Sequence, residues 1–177
     1  GGTLVLDRKF DAKRWLDRIR ESGATISIAH GPMIEMIQAE PPRSEDSDNV
    51  LTRLMCCPLP KRHGDAFLER FGVKGIEMWG MSEVGCPCWT SRQSPAVPGS
   101  CGKVLTEWYD VEVVDPETDR PVPDGTAGEI VVRSRHPWTT MLCYMGMPEE
   151  TVNAWRNLWF HTGDIAVRDS NGNMFYI

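Results

Sequence analysis

Along the first half of the chain, apolar positions alternate between two periods. Residues 3–6 are a short run of β-formers and predict a strand. From Asp11 onward the spacing becomes helical. Trp15 and Ile19 share a face, Asp11 can cap the first turn and Gly23 follows, which predicts a helix over residues 12–22. Residues 24–29 are apolar and β-branched and predict a strand. Pro32 suits the first turn of a helix that runs through Ile37 and ends at Pro41-Pro42. Polar residues 43–49 predict a mobile loop, residues 51–57 a strand, and residues 74–79 another. Between those strands, residues 61–71 place Ala66, Phe67 and Phe71 on one helical face, stopped by Gly72. This β-α-β-α-β-α-β order predicts a largely parallel sheet with helices packed on it.

The pattern changes after Pro98-Gly99. Residues 109–114 and 128–133 read as two strands, separated by a stretch dense in turn formers, residues 116–125. Pro148 opens a short helix through Trp155, and residues 167–172 read as a hairpin turn between two apolar runs. The second half is therefore β-rich, a small barrel or bent sheet. Ser, Gln and Pro accumulate near residues 90–99, so the expected division is an α/β subdomain, residues 1–96, and a β-barrel-like subdomain, residues 97–177.

Composition narrows the class. The 177 residues, 41% apolar and 25% charged, are ordinary for a globular chain and exclude a coiled coil or a disordered one. A net charge of −6 argues against a dedicated nucleic-acid binder. Apolar runs are broken by charge, Gly or Pro well short of the roughly 18 residues of a membrane helix, and, with no basic stretch ahead of an apolar core, a secretory signal is not expected. The six cysteines, 56, 57, 86, 88, 101 and 143, read as reduced thiols of a cytoplasmic protein; Cys86-Pro-Cys88 and Cys56-Cys57 lack the usual zinc-knuckle spacing. Strand-like runs at both ends suggest a piece of a longer protein.

Two segments could carry chemistry. Trp79-Gly80-Met81-Ser82-Glu83 follows a predicted parallel strand, where open α/β sheets place ligands. It offers an aromatic plate, a small residue that admits a ligand to the backbone, a hydroxyl and a carboxylate. Those groups suit a purine, a phosphate and magnesium; they equally suit a loop with a buried Trp and a solvated Glu. A serine nucleophile elbow fails, because G-x-S-x-G needs Gly where Val84 stands. The second segment is Phe160-His161-Thr162-Gly163-Asp164. A Gly turn between β segments can aim Asp164 outward, and two carboxylate oxygens match the two hydroxyls of a ribose; a plain surface turn is the competing reading. Gly99-Ser-Cys-Gly102-Lys103 lacks phosphate-loop spacing and reads as a turn between the halves. Histidines 30, 63, 136 and 161 are scattered and read as surface or packing residues.

Taken in order with Gly128-Glu129-Ile130-Val131-Val132, these segments resemble the adenylate-forming enzymes, whose motifs are Y-G-x-T-E, G-E-[IL]-x-[IV] and [YFW]-x-T-G-D. Phe71-Gly72, Pro98-Gly-Ser-Cys-Gly102, Tyr144 and Pro148-Glu149 fit the same pattern, and the chain is most similar to the crotonobetaine/carnitine-CoA ligase group. The resemblance implies a parallel αβ subdomain followed by a small β-barrel subdomain. It implies an acid–thiol ligase of fatty acid metabolism that uses ATP, Mg²⁺ and coenzyme A on a small carboxylic acid, with no nucleic acid and self-association left open. It implies that Trp79 lies against adenine, with Gly80 and Met81 beside it, that Ser82 contacts the α-phosphate, that Glu83 binds Mg²⁺ and that Asp164 holds the ribose. Met55-Cys56-Cys57 stands where many members carry a Gly-Gly-Ala stretch, which narrows the cleft beside the adenine. The family's phosphate loop and catalytic Lys are expected outside the two ends, so the chain alone is expected to be inactive. Two alternatives share the scaffold: an adenylating enzyme with a carrier-protein acceptor, and a non-catalytic module binding metal through cysteines 56, 57, 86 and 88.

Overall fold

The computed structural model describes residues 1–91 and 96–177. Contacts gather the chain into two compact units. The first holds Gly1–Glu77 with Arg92–Gly99, and the second holds Met78–Ser91 with Ser100–Ile177. This differs from a division at 96/97, which follows sequence character: the Trp79 segment groups with the second unit. Residues 92–95 of the expected boundary lie outside the described residues.

In the first unit, strands β1 (Ile26–His30), β2 (Arg53–Cys57) and β3 (Lys74–Met81, to Glu77) pair in parallel in that order. Helices α1 (Trp15–Ser22), α2 (Gly31–Gln38) and α3 (Gly64–Phe71) connect or precede them. Asp11 accepts a hydrogen bond from the Lys13 backbone N–H, 3.1 Å, at the short 3-10 turn that leads into α1. Gly23 (φ 63°) and Gly72 (φ 62°) end α1 and α3 in the left-handed conformation that glycine adopts without a Cβ clash. Trp15, Leu16, Ile19, Ile34, Ile37, Phe67 and Phe71 pack on Ala29, Leu54 and Cys56, one face of the sheet. On the other face Ile26 and Ile28 are 58% and 51% exposed.

Two expectations change here. Residues 3–6 form no strand, and Leu4 and Leu6 are exposed. A run of β-formers becomes a strand only where an edge supplies a ladder. Residues 43–49 are pinned rather than loose. Asp46 is buried, accepts from the Arg43 backbone N–H (2.9 Å) and pairs with Arg70 Nε (2.7 Å). Arg70 also donates to the carbonyls of Gln38, Glu40 and Pro41.

In the second unit the remainder of β3 pairs antiparallel with β4 (Gly85–Trp89), and β4 with β5 (Lys103–Val104). The expectation of a largely parallel sheet therefore holds for the first three strands only. A four-stranded antiparallel sheet follows: β6 (Tyr109–Val114), β7 (Ala127–Ser134), β8 (Phe160–Arg168) and β9 (Met174–Tyr176). A bridge between Lys103 and Asn173 joins the two ladders, so the unit curls on itself as a bent sheet. The short helix α4 (Pro148–Ala154) falls where Pro148 predicts it. The β8–β9 turn is held by Asp169, which accepts from the backbone N–H groups of Asn171 and Asn173. Val84, Cys88, Cys101, Val111, Val113, Ile130, Val132, Phe160 and Ala166 form this unit's core. No helix among the described residues is long and apolar enough to cross a membrane.

Candidate nucleotide site

Trp79, Gly80 and Met81 are the last residues of β3, not a loop after it, and Ser82-Glu83-Val84 form the tip of the β3–β4 hairpin. The strand extends further than its apolar run because β4 pairs with it there. β4 was invisible to sequence reasoning, since Gly-Cys-Pro-Cys-Trp has neither β-branching nor alternation. The ladder shifts register between Trp79 and Met81. A Cβ on Gly80 would sit 2.1 Å from the Gly85 carbonyl oxygen, so the close approach that demands glycine is by the hairpin's own second strand. Trp79 and Met81 are half-buried and pack against the second unit's core. Ser82 is exposed at the tip.

Glu83 is half-buried beside Ser82. Its backbone carbonyl accepts the Met141 N–H at 2.6 Å, and its Oε1 accepts the Tyr144 hydroxyl at 3.1 Å. Its Oε2 has no hydrogen-bond partner among the described residues. Tyr144 is itself fixed by its backbone N–H, which donates to Thr151 Oγ1 of α4 at 3.0 Å. Burial, then the Glu83 bond and charge, push the Tyr144 phenol above its ordinary pKa, so it stays a donor.

Gly163 and Asp164 lie within the continuous strand β8, not in a turn between strands. Glu129 pairs with Ile165 and Val131 with His161, so residues 162–164 oppose the single residue Ile130. This is a bulge, which re-aims a side chain without ending the strand. Gly163 adopts φ 73°, a conformation that favours glycine. Thr162 Oγ1 donates to the Ile130 carbonyl (2.8 Å) and accepts the Asp164 N–H (3.1 Å). The bulge turns Asp164 toward Trp79, whose indole Nε1–H donates to Asp164 Oδ2 at 2.9 Å. The two segments singled out in the sequence, 85 positions apart at these residues, thus meet directly. Asp164 Oδ1 has no hydrogen-bond partner among the described residues, and each carboxylate oxygen carries two acceptor positions.

Sequence reasoning missed Tyr144 as a partner of Glu83 and gave Glu129 and His161 no role at the site. His161 is buried, with Nδ1 3.0 Å from Glu129 Oε2. The signal was a carboxylate inside Gly128-Glu-Ile-Val-Val132, a run buried on both faces of its strand. The alternative of a cysteine-held metal finds no ligand set: among the described residues no group of three or more His, Cys, Asp or Glu could hold a metal ion. None of the six cysteines, all among the described residues, forms a disulfide.

Known proteins resemble this chain. The sequence profile of the AMP-binding enzyme family matches residues 1–145. A crotonobetaine/carnitine–CoA ligase of Citrobacter koseri is 30% identical over 186 aligned residues, covering 100% of this chain and 34% of that protein. The chain thus spans about a third of the length of the curated relatives it matches. The crystal structure of ATP-bound MatB from Rhodopseudomonas palustris superimposes with a TM-score of 0.80 at 26% identity, over 95% of this chain and 33% of that one. An anthranilate CoA ligase in complex with anthranoyl-AMP gives 0.80 at 26% identity, over 93% and 31%.

Proposed function

Because the chain belongs to the AMP-binding enzyme family, we propose that it supplies the nucleotide-reading part of an ATP-dependent carboxylate–CoA ligase. The observation that carries this reading is the Trp79–Asp164 hydrogen bond, which joins an aromatic plate and a half-free carboxylate in one unit. Asp164 accepts the ribose hydroxyls through Oδ1 and the remaining lone pair of Oδ2. Trp79, its N–H already engaged, offers its ring face to the adenine, with Gly80 and Met81 flanking it. Ser82, exposed at the hairpin tip, donates its hydroxyl to an α-phosphate oxygen.

Glu83 fits a magnesium ion. Its Oε2 is a hard anionic oxygen with no partner among the described residues, and Mg²⁺ commonly uses one or two carboxylates together with substrate phosphates and water. When bound, the ion neutralises charge on the phosphate oxygens. The chain's own groups contribute position: Tyr144 holds one Glu83 oxygen, and the Met141 N–H holds the hairpin tip. In the proposed reaction a carboxylate attacks the α-phosphorus of ATP, expelling pyrophosphate and giving an acyl-adenylate. A CoA thiol then displaces AMP to give the thioester. The enzyme would work in the cytoplasm on a small carboxylic acid.

Glu83→Gln in the ligase carrying this chain tests the assignment. It preserves shape and removes the charge. Adenylation, followed by pyrophosphate exchange, should fall about 10²-fold or more, as when one transition-state stabiliser is lost. Thioester formation from supplied acyl-adenylate should fall much less. Equal loss in both half-reactions would refute the role of Glu83.

A further inference from the structure

Glu129 stands directly behind the Asp164 bulge, and each of its oxygens is committed. Oε1 accepts the Gly163 backbone N–H at 3.0 Å. Oε2 accepts from His161 Nδ1 at 3.0 Å and from Arg156 Nη2 at 3.1 Å. The carboxylate is buried, with 8% of its side chain exposed, and the His161 side chain is 3% exposed. Asp119 closes the far side: its Oδ2 lies 3.6 Å from Arg156 Nε, and its Oδ1 lies 4.0 Å from His161 Nδ1.

A buried carboxylate is costly unless donors surround it, so its position is fixed where those donors converge. One of them, the Gly163 N–H, belongs to the peptide immediately before Asp164. The bulge has no ladder bond there to define it, since residues 162–164 face one residue of β7. Glu129 supplies the missing acceptor.

We infer that Glu129 is a positioning residue: through Gly163 it sets the bulge that delivers the Asp164 carboxylate to the Trp79 indole N–H and, on the reading above, to the nucleotide ribose. It touches neither nucleotide nor metal and acts through Asp164 alone. His161 and Arg156 hold Glu129 in place, which accounts for a buried histidine in β8, whose other buried residues, Phe160 and Ala166, are apolar.

The test uses Glu129→Gln, which keeps volume and an Oε1 acceptor but presents an NH₂ donor to His161 and Arg156. Two readouts are taken on the full chain within its ligase, with thermal melts to verify folding. The first needs no nucleotide. The Trp79 indole ¹H–¹⁵N signal, assigned by its loss in Trp79→Phe, should move in Glu129→Gln in the direction it moves in Asp164→Asn. The second is ATP titration. Glu129→Gln should weaken ATP binding by about tenfold, the scale of one charge-assisted hydrogen bond. That loss should vanish when Asp164→Asn is already present, because a residue acting only through Asp164 has nothing left to position.

A Trp79 signal unmoved by Glu129→Gln would overturn the inference, as would an equal loss of ATP affinity with and without Asp164→Asn. The two readings part cleanly. If Asp164→Asn leaves ATP affinity untouched, the nucleotide assignment falls, while the indole signal still decides whether Glu129 sets the bulge. Should Glu129→Gln melt far below wild type, His161→Gln provides the same indole readout one bond further away, and it should shift the signal in the same direction but less. An unmoved signal in that variant, too, would count against the inference.

Discussion

Each unit buries a carboxylate among donors, Asp46 in the first and Glu129 in the second, and these two are used differently. In the first, Asp46 receives the Arg43 N–H and the Arg70 guanidinium, while Arg70 spends its other donors on the carbonyls at 38, 40 and 41. Every partner is a loop or helix end, so the cluster ties chain segments together. In the second, Glu129 receives a histidine, an arginine and the backbone N–H next to Asp164. Its neighbour keeps an oxygen uncommitted to the described residues. The same physics, a buried anion held by convergent donors, fastens a scaffold in one case and aims an acceptor in the other. What decides between them is whether the last donor adjoins a group with spare hydrogen-bonding capacity.

The contrast predicts that damage to Asp46 is a folding defect and nothing more. Asp46→Ala leaves Arg70 without its carboxylate in a site only 12% exposed at the arginine, and the first unit should lose about 3 kcal/mol in urea denaturation. Acid should show the same effect. Burial pushes the Asp46 carboxyl up, but the Arg43 backbone N–H and the Arg70 guanidinium outweigh it and hold the group below the usual carboxylate range. Its contribution is therefore present above about pH 4 and is lost as pH falls through the lower folded value. The stability gap between wild type and Asp46→Asn should close on acidification; a gap independent of pH would contradict the assignment.

A smaller effect is expected at the second unit's hairpin tip. Tyr144→Phe removes one hydrogen bond to a half-buried Glu83, worth about 1 kcal/mol. The Mg²⁺ concentration for half-maximal adenylation should rise several-fold, with the melting temperature little changed. An unchanged Mg²⁺ requirement would separate Tyr144 from the site.

The mildest prediction concerns thiols. Burial, with a further push from Glu77, raises the Cys56 thiol to about 12, and burial likewise raises Cys88. Cys143 is exposed. Alkylation at pH 8 should label Cys143 first and reach Cys56 and Cys88 only on unfolding, which mass spectrometry of the labelled peptides would read. Early labelling of Cys56 would show that the first unit's core opens readily.

These two regions also differ in how openly their sequences announced them. The first unit is nearly all amphipathic helix and apolar strand, and the positions of α1, α2, α3, β1 and β2 follow from Trp15, Ile19, Phe67, Phe71 and the stops at Gly23 and Gly72. Its errors came from tertiary partners: residues 3–6 lacked a neighbouring edge, and residues 43–49 gained a buried ion pair from Arg70, a residue of another helix. In the second unit, β6, β7 and the β8–β9 turn were readable from alternation and turn chemistry. The strand β4 and the bulge at Gly163 were not, because pairing rather than propensity creates them. Of the site, Trp79, Ser82, Glu83 and Asp164 stood out as chemistry-bearing types at ordered spacing. Their contact did not, nor did Tyr144 or Glu129, since hydrogen bonds across many positions leave no local pattern.

The central claim is that Asp164 reads a ribose. The direct measurement is titration of ATP and 2′,3′-dideoxy-ATP into the protein, wild type and Asp164→Ala. Charge-assisted hydrogen bonds contribute about 1.5–3 kcal/mol each, so wild type should prefer ATP strongly, and the variant should bind ATP at least tenfold more weakly. The variant should also no longer distinguish the two nucleotides. An Asp164→Ala protein that binds ATP as tightly as wild type and keeps the preference for the ribose hydroxyls would contradict the account.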